Sequence, residues 1–155
     1  MRLEPKGIGE AERYLESSWR NYAREVAAEL GIPLDEALAR TRKQRDAILP
    51  QGAATPGHEF LDLLEEGPVG SLWIGDHHGD LYVFDIVVDE SARGRGYGTA
   101  ALELVEERAR ERGATGVSLS VFAHNTGAQR LYERLGYEVV EKDKGGQRMR
   151  KSLRE

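Results

Sequence analysis

Apolar and polar residues divide the chain into segments of two periods. The most continuous apolar run, Leu81-Tyr82-Val83-Phe84-Asp85-Ile86-Val87-Val88, is broken only by Asp85 and predicts a strand covered on both faces. Over residues 99–112, Ala101, Leu102, Val105 and Ala109 return at helical spacing among Glu and Arg, with Gly113 as the stop. Upstream, Ala11, Leu15, Trp19, Tyr22, Val26 and Leu30 recur at steps of three and four, predicting a helix over 10–30 closed by Gly31. A second helix over 35–48 carries the looser stripe Leu38, Thr41 and Ile48 and stops before Pro50. Downstream, Val117, Leu119 and Val121 alternate with Ser118, Ser120 and Phe122 in a strand at 117–122. A helix over 126–135 follows, with Ala128, Leu131 and Leu135 on one side.

Shorter elements fill the gaps. Strands at 59–65 and 69–74 flank the turn Glu66-Gly67-Pro68, and Asp76-His77-His78-Gly79-Asp80 turns the chain into the apolar strand. Strands at 137–141 and 147–153 form a hairpin about Gly145-Gly146, and residues 2–4 are a short first strand ended by Pro5. Residues 49–58, rich in Pro and Gly, are a loop. At 155 residues the chain suits one domain, 1–155.

Candidate chemistry concentrates where the apolar strand meets its helix. Arg93-Gly94-Arg95-Gly96-Tyr97-Gly98 alternates three glycines with other residues there. Glycines at such a junction let the backbone adopt φ > 0 and approach a ligand, while N–H groups point outward. The first helical turn, from Thr99, adds unpaired N–H groups and the positive end of the helix dipole, and Arg93 and Arg95 add charge. A pyrophosphate suits such a cradle; a plain tight turn is the alternative. Gly96-Tyr97-Gly98-Thr99-Ala100-Ala101 also satisfies a dinucleotide fingerprint, but the acidic residue expected about 20 positions on falls near Gly116, and 117–122 carries no carboxylate. A P-loop fails because no Gly-Lys-Ser/Thr follows.

Charge and composition narrow the classes. Lys and Arg total 22 against 27 Asp and Glu, a net charge of -5 without a long block of one sign, which argues against nucleic acid as a partner. The absence of cysteine removes disulfides, a thiol nucleophile and thiolate zinc sites. The four histidines lack metal-ligand spacing, so no metal is expected. Met1-Arg2-Leu3-Glu4-Pro5 lacks the apolar run of a signal peptide, and no stretch nears the ~18 apolar residues of a membrane span. A cytoplasmic protein with no membrane partner is the expectation.

Arg93-x-x-Gly96-x-Gly98, preceded by Ile86-Val87-Val88 and followed by a helix, resembles the acyl-CoA-binding motif of the GCN5-related N-acetyltransferase (GNAT) superfamily. Strand 117–122, Asn125, and Ala128-x-x-Leu131-Tyr132-Glu133-x-x-Gly136-Tyr137 resemble that superfamily's next strand, its Asn and its "LYxxxGF" helix. The likeness covers 81–153 well and the first half loosely. It implies an α/β (α+β) fold: a mixed, mostly antiparallel, twisted sheet of six to seven strands flanked by about four helices, its fourth and fifth strands splayed into a wedge. Residues 1–66 would form the acceptor side and 67–155 the acetyl-CoA-binding core with the C-terminal hairpin.

The implied activity is acetyl-CoA-dependent N-acetylation of a primary amine of a small molecule or peptide, by direct attack through a tetrahedral intermediate; a non-catalytic acyl-CoA-binding or regulatory module is the alternative. The backbone of Ile86, Val87 and Val88 would pair with pantetheine, Arg93, Gly94, Arg95, Gly96, Tyr97, Gly98 and Thr99 would hold the pyrophosphate, and Asn125 would meet the pantetheine arm or cap its helix. Tyr132 matches the family's general-acid position, although its spacing also suits core packing. For the base, some members carry a Glu where this chain has Ser120, and others a Glu early in the fourth strand, near Tyr82 or Asp80 here. Asp85 is the only carboxylate inside the apolar strand, either a base with a pKa raised by burial or a structural residue. The oligomeric state, a homodimer included, is left open.

Overall fold

The structure is a computed structural model that describes residues 1–154. Its elements are β1 (Arg2–Pro5), α1 (Ile8–Leu30), α2 (Leu34–Ile48), β2 (His58–Leu64), β3 (Pro68–His77), β4 (Asp80–Val88), α3 (Tyr97–Glu111), β5 (Gly116–Phe122), α4 (Thr126–Arg134), β6 (Glu138–Lys142) and β7 (Gly146–Ser152). The strands form one sheet in the order β1-β2-β3-β4-β5-β7-β6. Every neighbouring pair is antiparallel except β4 and β5, which run parallel because α3 carries the chain back across the sheet between them. This is the mixed, helix-flanked sheet expected for the family resemblance.

Each face of the sheet has its own apolar cluster. On one, Ala101, Leu102, Val105 and Ala109 of α3 pack on Leu61, Leu63, Leu72, Ile74, Leu81, Val83, Val117 and Leu119, and Ala128, Tyr132 and Leu135 join from the α4 side. On the other, Ala11 and Leu15 of α1 pack on Phe60 and Trp73, with Tyr14 and Phe84 at the margin. The two clusters follow from strand alternation: Leu72 and Ile74 face α3 while Trp73 between them faces α1.

Alternation fails at one place that matters. Trp73 lies opposite Asp85, but the next residue, Ile74, lies opposite Val83, so Phe84 is an extra residue in β4. A single inserted residue turns every later side chain to the other face. Counting by twos from Leu81 and Val83 would bury Asp85 under α3; instead Asp85 faces α1 and Ile86 and Val88 enter the α3-side cluster.

Several boundaries differ from the sequence pattern. Helix α3 begins at Tyr97, two residues before Thr99, because Gly96 at φ 79° supplies the turn and its carbonyl accepts from Ala100 N–H. In α1 the buried residues are Ala11, Leu15 and Ala23. Tyr22 is 45% exposed, because α1 divides its contacts between the sheet and α2 and no single stripe is covered throughout. Tyr137 precedes β6 and is buried, its hydroxyl donating to Glu106 Oε2 at 3.1 Å. No described helix is long and apolar enough to cross a membrane.

Candidate active site

Strands β4 and β5 pair only through Leu81, Tyr82 and Val83 against Val117, Ser118 and Leu119. Beyond that point β4 stays with β3, Val88 opposite Gly70, while β5 stays with β7, Phe122 opposite Gly146. The two strands therefore splay, and from Phe84 to Val88 no strand among the described residues pairs with the edge of β4 turned away from β3. Backbone groups along such an edge need partners from water or a ligand. Val87, 40% exposed, puts an apolar side chain at this open end.

The glycine-rich turn sits at the end of β4. Gly94 and Gly96 both adopt φ 79°, and a Cβ added to either would meet nothing within 4 Å. No hydrogen bond ties the backbone N–H groups of Gly94, Arg95, Gly96, Tyr97, Gly98 and Thr99 to another described residue. Six consecutive donors are therefore open, three of them in the first turn of α3 where the helix dipole adds positive potential. Arg93 and Arg95 are exposed beside them, and Arg93 Nε donates to the Val88 carbonyl at 3.1 Å, tying the turn to the end of β4.

Asp85 lies on the unpaired stretch of β4 and faces α1. Its Oδ2 accepts from the Tyr14 hydroxyl and, at 3.2 Å, from Ser18 Oγ, both on α1. Burial pushes the Asp85 carboxyl above its usual range, and the bonds from Tyr14, Ser18 and the Ile86 backbone oppose that rise in part. Tyr132 reaches the region from α4, and its hydroxyl makes no hydrogen bond to a described residue. Burial, with a contribution from the Asp85 charge, raises the Tyr132 pKa, so the phenol stays a proton donor at neutral pH. Asn125 caps α4, its Oδ1 accepting from Ala128 N–H at 3.2 Å, while its amide nitrogen makes no hydrogen bond to a described residue.

The other carboxylate considered for β4 is committed elsewhere. Asp80 accepts Arg150 Nε at 2.7 Å and Arg150 Nη2 at 2.9 Å, with Thr115 Oγ1 at 3.0 Å and the Ser118 hydroxyl also on it. These donors outweigh its burial and hold its pKa at about 2. It lies at the closed end of the β4/β5 pair. The Tyr82 and Ser120 hydroxyls bond each other, so the position where some members carry a Glu holds a neutral pair. His58, in the loop region singled out by composition, accepts Trp73 Nε1 at 3.1 Å and belongs to the aromatic packing under α1.

Beside Asp85, the exposed part of α1 meets the end of β5. The rings of Tyr22 and Phe122 lie 5.5 Å apart, and Phe122 stacks on His124 at 5.5 Å. Glu29 accepts from the His124 backbone N–H at 3.1 Å, and Glu25 stands next to it with its pKa raised by partial burial. This patch is aromatic and acidic.

The sequence pattern of the Acetyltransferase (GNAT) family matches residues 16–137, which span the open turn, the wedge and Tyr132 together. The chain belongs to the GNAT family. The uncharacterized N-acetyltransferase YycN of Bacillus subtilis is 36% identical over 146 residues, 90% of this chain and 93% of that protein. The YycN crystal structure superposes with a TM-score of 0.80 at 33% identity, covering 92% of this chain and 93% of that one. The PaiA N-acetyltransferase from Thermoplasma acidophilum, solved in complex with coenzyme A, shares the fold at 15% identity with a TM-score of 0.64, covering 99% and 100% of the two chains.

Within this GNAT fold the glycine turn follows the open edge of β4, Gly98 lies against Leu131 of α4, the Asp85 charge acts on the Tyr132 phenol, and Asn125 stands at the start of α4. Tyr14 and Ser18 were missed by the sequence pattern. Both fall outside the apolar stripe of α1, and their partner is about 70 residues away in sequence, at a position reached only because of the bulge. A tyrosine just off the apolar stripe was their only local signal.

Proposed function

We propose that this GNAT protein transfers an acetyl group from acetyl-CoA to a primary amine of a small molecule or peptide. The observation that carries the reading is the run of six open backbone N–H donors at the end of β4, with Tyr132 close enough to Asp85 for the carboxylate charge to act on its phenol. Open donors at a helix N-terminus, exposed Arg93 and Arg95, and a strand edge free from Phe84 to Val88 suit a diphosphate followed by an extended chain bearing amides. The coenzyme, when bound, supplies a thioester activated for acyl transfer. Ile86, Val87 and Val88 orient it through the backbone, and the Asn125 amide nitrogen donates to its amide arm while Oδ1 keeps capping α4.

Two proton transfers remain for the side chains. An alkylamine of pKa about 10.4 is neutral in roughly one molecule in two thousand at pH 7, so a base must draw off its proton. Asp85, desolvated and raised, accepts that proton directly or through one water. Tyr132 protonates the departing thiolate. The aromatic and acidic patch of Tyr22, Phe122 and Glu25 attracts a cationic amine by charge and by the ring faces, placing acceptor recognition on α1. Calorimetry with acetyl-CoA, coenzyme A and NAD, followed by thiol release over an amine panel, tests the reading. Binding of the first two without NAD, together with amine-dependent thiol release, is expected. Binding without turnover would leave an acyl-CoA-binding module, and no binding would overturn both.

A further inference from the structure

We propose that Tyr14 and Ser18 are positioning residues that clamp one oxygen of the Asp85 carboxylate from α1 and so aim the other at the acceptor amine. The inference rests on Asp85 being the base. Both hydroxyls converge on Oδ2 and neither touches Oδ1, so the α1 side holds the carboxylate asymmetrically, with the Ile86 backbone N–H as its other neighbouring donor. The two donors stand one helical turn apart on α1, the spacing at which side chains share a face.

The clamp is built into the packing. The Tyr14 ring lies 6.2 Å from that of Phe60, and Lys6 Nζ sits 5.3 Å from its centroid, so the phenol cannot swing away without opening the apolar cluster under α1. Phe84, the bulged residue, packs against that same cluster, and Trp73 lies opposite Asp85 on β3. The bulge and α1 therefore act together: one turns Asp85 to this face and the other fixes its rotation. The titratable groups facing the carboxylate are Tyr14 and Glu25 of α1 and Tyr132 of α4, with Ser18 and the Ile86 N–H as neutral donors. Burial and the Asp85 charge hold the Tyr14 pKa well above the usual tyrosine range, so it is a donor at neutral pH.

Tyr14→Phe keeps the packed ring and removes only the donor, and Ser18→Ala is the milder partner variant. A hydrogen bond to a charged group is strong enough to move a pKa by about one pH unit. The Asp85 carboxyl carbon, titrated by NMR, is expected to shift up by about that much in Tyr14→Phe and by less in Ser18→Ala. The acidic limb of kcat/KM for amine-dependent thiol release should move with it, and KM for acetyl-CoA should stay the same. An unchanged Asp85 titration in both variants would overturn the clamp. Undiminished thiol release in Asp85→Asn would instead remove the base assignment, a different failure from that of the clamp.

Discussion

Asp80 and Asp85 lie five residues apart on one strand, and their environments push their carboxyls in opposite directions. Asp80→Asn tests that division. Asp80 is 8% exposed and accepts four donor atoms, two of them from Arg150. Its pKa falls from the ordinary 3.8 to about 2. At 1.36 kcal/mol per pH unit, the ionised form therefore contributes about 2 kcal/mol to the folded state. Because the folded pKa lies below the unfolded one, this stability is fully present above about pH 4 and is lost as the pH falls through about 2. Asn keeps the shape and one acceptor but loses the charge facing Arg150. For a domain of this size about 2 kcal/mol lowers the melting temperature by about 6 °C. Thermal unfolding followed by circular dichroism should show that gap at pH 7 and a narrower one near pH 2. Thiol release measured well below both melting temperatures should stay within about twofold of wild type. A melting temperature within about 1 °C of wild type would refute the ion-pair reasoning, and a tenfold loss of turnover would refute the placement of Asp80 outside the reaction.

Three further outcomes are expected. Tyr132→Phe should lower kcat for thiol release by about a hundredfold at pH 7, the scale of general-acid catalysis, with acetyl-CoA affinity unchanged by calorimetry; a wild-type rate would end the general-acid role. Charge reversal at Arg93 and Arg95 together should weaken acetyl-CoA binding by about tenfold or more at low salt and by less at high salt, and an affinity independent of both would mean that the diphosphate lies elsewhere. Glu25→Gln should raise KM for a cationic acceptor several-fold and leave KM for acetyl-CoA alone in two-substrate kinetics; equal effects on both would take acceptor recognition away from α1.

Much of the scaffold was legible because local rules govern it. The apolar run of β4, the stripe of Ala101, Leu102, Val105 and Ala109, and the alternation of Val117, Leu119 and Val121 all lie in the elements and clusters that their periods imply. Of the three alternating glycines read as permitting φ > 0, Gly94 and Gly96 adopt it, while Gly98 lies within the first turn of α3 and does not. Helix α3 starts two residues before the position its apolar stripe predicts, since Gly96 caps the helix by its conformation and carries no capping side chain. The stripe predicts a buried Tyr22, yet it is 45% exposed, because α1 packs on two partners and, among the described residues, the only aromatic ring this position meets is that of Phe122. Tyr14 offered no pattern of its own, and the commitment of Asp80 to Arg150 joins strands 70 residues apart.

The sequence by itself determined the elements, the family likeness and the open turn, all of which depend on neighbours within a few residues. Only the tertiary structure decided which way Asp85 points. Whether that carboxylate enters the α3-side core or meets Tyr14 depends on one extra residue in the register between β3 and β4. Register is a property of two strands and the helices that cover them, so no reading of β4 alone contains it.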